Sequence, residues 1–425
     1  MALKPVLGPV QLIFYSVGVI VGAGVYSVIG TAAGLAQENL WLSFAIGAGV
    51  AFLTALSYAE MATSYPQAGA EYVYMRHAWP RAHWLSFGIG AVILIGGAAT
   101  AATVAVAFGG YLRTFIDVPP AWSALALLAA CTAFNIWGLR ESSFANILFT
   151  SIEVGGLLLI VVAGLAREGA PASVPVEAPP AIIAAAALLF FVYLGFEEVA
   201  NLVEEVHRPA RDLPLALFVS LAITTLLYVL VAMAVVHMVA PSELAKSSAP
   251  LTIAIESVWP NMGRVMSAIA LFATANTVLI TLIATSRLTF SMARDGEIHD
   301  MFAGLLPRRE TPWVAALLTF AMAAALLPIG NVKILAEMSS FAALAAFFTV
   351  NVALIVLRYR QPHHPRPFRV PGTVGRMPAV PLVAIASIIL LLLNFDWQIY
   401  LAGGIALLLT ALAYGARQWA RYRRR

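Results

Sequence analysis

The sequence predicts an all-α membrane protein of about twelve transmembrane helices. Three observations carry that reading. Of the 425 residues, 61% are hydrophobic and 11% charged, and mean hydropathy is +0.88. A soluble domain is about 45–50% apolar and about 25% charged, so lipid must be the solvent for most of the outer surface. Second, continuous apolar stretches of the length a helix needs to cross hydrocarbon, roughly 20 residues, recur along the chain. They cover 10–34, 40–64, 84–112, 121–140, 144–166, 181–204, 212–240, 263–290, 312–330, 333–357, 378–395 and 397–417. Barrel strands would be shorter and alternating. Third, with both termini in the cytoplasm, all but five of the 25 Lys and Arg fall inside. The exceptions are Arg113, Arg167, Lys246, Arg264 and Lys333. One miscounted span would scramble this positive-inside bias, so it supports both the count and the orientation expected of a multi-pass plasma (inner) membrane protein.

The connections fit the same scheme. Met1–Gln11 carries one lysine and no small-residue cleavage site after a short apolar core, so the first span is read as retained. The Arg167–Pro180 segment, with four prolines, is an outside loop, and Pro241–Gly263 is a candidate for a short interfacial helix outside. The basic, proline-rich Arg358–Pro378 segment is a cytoplasmic connection, and Arg421–Arg425 a terminal anchor. The whole chain, 1–425, reads as one transmembrane domain. Its lone Cys131 excludes a disulfide framework or thiolate cluster within one chain. The seven histidines show no ligand spacing; His363 and His364 share a basic loop, and His77 and His83 flank another. No metal, cofactor, nucleic acid or obligatory protein partner is expected.

Two spans contain features that plain helix packing does not require. Span 1 holds Gly18-Val19-Ile20-Val21-Gly22-Ala23-Gly24, where Gly22-Ala23-Gly24 is a candidate for unwinding. Span 6 holds Phe190-Phe191-Val192-Tyr193-Leu194-Gly195-Phe196-Glu197-Glu198, one glycine and two acids in an apolar run. These are the first helices of two successive five-span units, 10–166 and 181–357, followed by two additional helices in 378–417. An odd number of spans per unit forces opposite orientation, the arrangement of transporters built from inverted repeats with a discontinuous helix in each. A broken helix exposes N–H groups at the start of its second half and carbonyls at the end of its first. The former suit a carboxylate and the latter an ammonium group or a cation. A free amino acid matches both; simple close packing at Gly22 and Gly24 is the competing reading.

At this point the sequence resembles the amino acid–polyamine–organocation (APC) transporter superfamily, close to its cationic amino acid transporter branch. The resemblance covers roughly residues 8–360. It rests on the span 1 run extended through Val25-Tyr26, on Tyr58-Ala59-Glu60 with Tyr65-Pro66-Gln67-Ala68-Gly69-Ala70-Glu71-Tyr72-Val73-Tyr74, and on Phe191–Glu197. It continues in Glu204-Glu205-Val206-His207-Arg208-Pro209-Ala210-Arg211-Asp212-Leu213-Pro214, and in Met292-Ala293-Arg294-Asp295-Gly296 followed by Thr311-Pro312. The resemblance implies a leucine-transporter-type fold, a five-plus-five inverted repeat with discontinuous helices 1 and 6. It implies that a substrate carboxylate meets amides around Ala23, Gly24 and Val25. The amino group would meet carbonyls near Ile20, Phe191, Val192 and Leu194, and Phe196 would cover the site from outside. Gly22, Thr274 and Thr277 lie where sodium-coupled relatives hold an ion. Some proton-coupled members carry a span 5 lysine there. The matching position here is Glu153, and a carboxyl cannot imitate a fixed cation.

Charge at mid-bilayer is costly, about 2.5–3.5 kcal/mol on insertion scales, so Glu153 and Glu197 stand out within their spans. Glu153 is the first candidate for proton exchange during transport, against a structural reading as a hydrogen-bonded neutral carboxyl. Glu197 is either a second such group or the partner of a cationic substrate side chain. Glu60, Glu204, Glu205 and Arg287 are expected to be solvated or interfacial, with an ion-pair inner gate as the alternative. Tyr26, Tyr193, Phe191 and Trp137 read as packing aromatics. The expected function is secondary active amino acid transport by alternating access, proton-coupled with sodium the other option. Polyamine or organic cation transport and amino acid exchange are the alternatives. No catalytic pair or HExxH motif points to an intramembrane enzyme, and no repeated carbonyl-loop motif to a channel.

Overall fold

A computed structural model describes residues 7–67, 70–138, 143–168, 180–307, 309, 311–375 and 377–423. Lys4, the motif residues Ala68 and Gly69, most of the Arg167–Pro180 loop and the end of the basic tail lie outside the described residues.

The chain opens with α1 (Pro9–Val21), α2 (Gly24–Ala36), α3 (Leu40–Ser64), α4 (Ala70–Ala78), α5 (His83–Leu112), α6 (Pro120–Trp137) and α7 (Ser143–Ala166). It continues through α8 (Pro180–Leu189), α9 (Glu198–Asn201), α10 (Pro209–Met238), α11 (Pro241–Lys246), α12 (Pro250–Glu256) and α13 (Gly263–Arg294). It ends with α14 (Trp313–Leu326), α15 (Val332–Arg360), α16 (Ala379–Leu392) and α17 (Trp397–Arg423). Before α16, β1 (Thr373–Val374) pairs antiparallel with β2 (Met377–Pro378).

Local signals set the ends. Proline, whose missing N–H is harmless in a first turn, opens α1, α6, α10, α11 and α12. Asn331 caps α15 by accepting from the Lys333 and Ile334 amides. α6 stops at Gly138, which takes the left-handed conformation at φ 82°.

Among the described residues, eight helical segments are long and apolar enough to cross a bilayer. They are Gly24–Ser64, His83–Leu112, Pro120–Trp137, Leu148–Ala166, Ala181–Ala200, Pro209–Met238, Gly263–Arg294 and Val332–Arg360. Pro9–Val21 and Trp313–Ile329 are shorter apolar helices, and α16 meets α17 at a bend of 112°. A 14-residue helix such as α14 or α16 rises only about 21 Å, short of the roughly 30 Å hydrocarbon thickness. Length alone therefore does not deliver the expected twelve crossings.

Small residues let the long helices approach. α5 packs against both α13 and α15, and a methyl group on Gly97 would stand 2.3 Å from the Thr285 hydroxyl of α13. Outside, Phe14, Leu165, Leu226, Leu393 and Leu407 are each more than half exposed, as a lipid-facing surface requires. Inside, six tyrosines (Tyr26, Tyr58, Tyr74, Tyr111, Tyr193 and Tyr228) are fully buried. A buried hydroxyl needs a partner, and the partners of Tyr228 lie at the helix breaks.

Candidate functional site: two helix breaks in contact

α1 and α2 are separated by Gly22 and Ala23, and Gly22 leaves the helical region at φ 9°, ψ −165°. The Ala23 amide donates to Thr277 Oγ1 of α13 at 2.8 Å. The hydrogen bonding of α2 resumes with Ser27 N–H to Ala23 O at 3.0 Å. The amides of Gly24, Val25 and Tyr26 therefore open α2 without an acceptor one turn back, and among the described residues the N-cap position, Ala23, supplies no side-chain cap.

The second break follows α8. Phe190–Tyr193 tighten into a 3₁₀ turn, Leu194 is extended at ψ 141°, and helix returns at Glu198. Gly195 sits at φ 116°, a conformation side chains with a Cβ rarely adopt. A methyl group there would also lie 2.9 Å from Val19 O of α1. Glu197 fastens this turn, accepting from the Gly195 amide at 2.9 Å.

The two breaks touch. A Cβ on Gly24 would stand 3.0 Å from Val192 Cα. Tyr228 of α10 ties them together: its hydroxyl lies 2.8 Å from Ile20 O, 3.3 Å from Val21 O and 3.2 Å from Val192 O. Ile20, Ala23, Val25, Phe191 and Val192 are buried around this junction, with Gly22, Gly24 and Leu194 partly accessible. Two of the four carbonyls expected to meet a substrate ammonium, those of Ile20 and Val192, thus already share one phenolic donor, while Phe191 O accepts from the Leu194 amide.

Glu153 on α7 is fully buried, and its Oε1 accepts from Asn276 Nδ2 of α13 at 3.0 Å. Asn276 adjoins Thr277, which holds Ala23, so the carboxyl is one residue removed from the first break. Tyr26 donates to Glu153 O at 2.7 Å, and Tyr111 to Tyr26 O at 2.9 Å. Thr274 is buried and donates back to Ala270 O. Tyr26 and Tyr193, read as packing aromatics, both carry hydrogen bonds; Tyr193 donates to Phe44 O at 2.9 Å.

Phe196 is placed differently from expectation. It is fully buried between Tyr58 and Phe347, at centroid distances of 5.7 and 5.1 Å. Tyr58 lies six residues before the end of α3, on the side of the break that leads to α4 rather than the opposite side. The turn at Gly195 carries the chain past the break before Phe196, which is why the ring falls there. Tyr58 donates to Glu71 Oε1 of α4 at 2.6 Å, and burial pushes the Glu71 carboxyl up to about 7 despite that bond.

Glu60, expected at a solvated end, is buried as well. Arg358 Nε donates to its Oε1 at 2.9 Å, and Arg358 Nη2 pairs with its Oε2. Arg366 Nε lies 3.2 Å from Oε1 and the Val370 amide 2.7 Å from Oε2. The fold forces this, because the Arg358–Pro378 connection folds back onto the last turns of α3. Glu204 and Glu205 are partly buried and Arg287 is exposed.

Tyr228 was not assigned a role from sequence, and Asn276 entered only as part of the span 8 segment around Thr274 and Thr277. A lone tyrosine inside Leu226-Leu227-Tyr228-Val229-Leu230 is a hydroxyl at mid-span needing a partner, and that signal could have raised it.

Comparison with known proteins matches this arrangement to a family. The profile of the amino acid permease family matches residues 7–411. The chain is 30% identical over 421 residues to the branched-chain amino acid permease BcaP of Bacillus subtilis (strain 168), covering 93% of this chain and 89% of that protein. It is 28% identical over 406 residues to the methylthioribose transporter of the same organism, covering 90% and 87%. To the vacuolar cationic amino acid transporter 4 of Arabidopsis thaliana it is 32% identical over 395 residues, covering 84% and 64%. The chain therefore belongs to the amino acid permease family of the APC superfamily, and is a membrane transporter rather than an enzyme.

Proposed function

We propose that the protein carries α-amino acids across the plasma membrane as a secondary active transporter working by alternating access. The observation that carries this reading is the contact between the two helix breaks, where the unbonded amides opening α2 stand beside carbonyls of both breaks gathered by Tyr228. The amides of Gly24 and Val25, at the positive end of the α2 dipole, receive the carboxylate. The carbonyls of Ile20 and Val192 receive the ammonium group, which replaces the Tyr228 hydroxyl as their donor. Branched-chain and cationic amino acid transporters among the relatives support an amino acid substrate. Glu197 spends one oxygen on the Gly195 amide. That supports its reading as a fastener of the second break over a partner for a cationic side chain.

Twelve crossings follow when α1 and α2 count as one broken span. α3, α5, α6 and α7 then complete a first group of five. α8 with α9, α10, α13, α14 and α15 form a second, inverted group, and α16 and α17 the extra pair. The distribution of Lys and Arg supports cytoplasmic termini.

Glu153 is the proton-coupling group in this reading, supported by its burial and by the Asn276–Thr277 link to the first break. Uptake into proteoliposomes tests both parts. Amino acid methyl esters should compete about tenfold or more weakly than the free acids, because charged hydrogen bonds contribute about 1.5–3 kcal/mol. Esters as potent as acids would remove the carboxylate site. Glu153→Gln should abolish substrate-driven proton entry; undiminished proton flux would take Glu153 out of that role.

A further inference from the structure

The connection between α15 and α16 forms a basic pocket that the transport site does not use. Its volume is about 410 Å³, and Arg358, Pro362, His363, His364, Arg366 and Arg369 line it. None of these six is acidic. Arg358 and Arg366 share a single carboxylate, Glu60, so one of their two positive charges is uncompensated. Both guanidinium groups are fixed. Arg358 also donates to Thr373 Oγ1 at 2.8 Å, and Arg366 to the carbonyls of His364, Leu357 and Gln361 at 3.0, 3.2 and 3.1 Å. His364 is held against the end of α3, with Nε2 2.9 Å from Ser64 O and its ring stacked on Tyr65 at 4.5 Å. Arg369 and His363 are exposed at the rim, and among the described residues Arg369 has no acid within ion-pair distance.

We infer that this pocket binds a phosphate group, supplied by the headgroup of an anionic phospholipid. Fixed guanidinium groups suit phosphate oxygens, and the pair holding Glu60 leaves the pocket positive before Arg369 is counted. Its place favours a lipid over a soluble anion. The loop joins the ends of two apolar helices, at the level where headgroups lie. The exposed apolar side chains Leu382 and Val383 follow within the first turns of α16, positioned for an acyl chain. Basic pockets between membrane helices on the positively biased face are suited to such headgroups.

The test is a titration of the purified full-length protein in a neutral detergent, read as the shift in unfolding temperature. Phosphatidylglycerol should raise it saturably, while phosphatidylcholine and inorganic phosphate at equal concentration should not. Arg369→Gln, at an exposed position outside the Glu60 cluster, should weaken the phosphatidylglycerol response by about tenfold or more, the cost of one charge-assisted hydrogen bond. Arg369→Lys should restore part of it. An equal response from wild type and Arg369→Gln would overturn the site. A full response to inorganic phosphate alone would overturn the lipid as its source.

Discussion

A tyrosine hydroxyl has one proton, and Tyr228 has three carbonyl oxygens within 3.3 Å. It can satisfy only one well at a time, so the junction is left rich in acceptors, as an ammonium site should be. Tyr228→Phe removes the shared donor and should cost about 1–3 kcal/mol of stability in substrate-free protein, the penalty for stranding a buried polar group. The same variant should show a larger rise in unfolding temperature on adding substrate than wild type does, because the ammonium group then supplies the missing donor. A purely structural tyrosine would give the loss without the larger rise. Glu71 makes a second prediction at this scale. Its carboxyl is held up to about 7 by burial, so the folded protein binds that proton more tightly than the unfolded chain. The resulting stability is fully present below the ordinary value of 4.5 and is lost as pH rises through about 7. Unfolding temperature should fall across that window, and Glu71→Gln should flatten the decline.

At the scale of elements, each break is set by a glycine serving a different need. Gly24 allows α2 to start against the backbone of Val192, and Gly195 takes a positive φ directly over Val19 O. Gly195→Ala should therefore both strain the turn, by about 1–3 kcal/mol, and push the halves apart; uptake should be lost before the protein fails to fold, measurable as a well-folded, inactive preparation. Both breaks were legible in sequence because clustered glycines in span 1, and one glycine beside two acids in span 6, are local signals inside an apolar run. What closes them is contributed from distant helices: Thr277, which meets Ala23 across 254 residues, was placed near span 1 only through the family resemblance, and Tyr228, which meets Ile20 across 208, had no signal of its partner. The side on which Phe196 falls was missed for a related reason. Its covering role came only from the family resemblance, which carries no geometry for this chain, whereas the extended Leu194 and the turn at Gly195 change both direction and advance. The limits of α5 and α13 were read well, since long apolar runs ending in charge or glycine need no tertiary information. The shorter 312–330 and 378–395 were also close, matching Trp313–Ile329 and Ala379–Leu392 to within three residues, although hydropathy did not show that they fall short of the hydrocarbon thickness.

Across the whole molecule, the Glu60 cluster joins the end of α3 to the end of α15 and to the loop beyond it, groups nearly 300 residues apart in the chain. Sequence alone presented Glu60 as solvated or interfacial, with an ion-pair gate as the alternative, and Arg358 only as the start of a basic connection, because a charge near a span boundary has no visible partner until the fold brings one. Their burial gives the pair a different energetic character from a surface bridge. Removing one member of a buried ion cluster leaves uncompensated charge and costs about 3–5 kcal/mol, whereas exposed pairs contribute about 0–1 kcal/mol. Glu60→Gln leaves two guanidinium groups facing each other without an anion and should lie in the first range. Arg366→Gln leaves one cation with one anion and should cost less. If the cluster acts as a unit, the double variant should be more stable than the sum of the two losses predicts, by a coupling of about 0.5–3 kcal/mol. Denaturant unfolding of the four proteins in one detergent measures this. Strictly additive losses would mean that Glu60 and Arg366 act independently and that the cluster is not a unit, leaving α3 and α15 joined by apolar packing and the buried Ser57–Asn351 hydrogen bond.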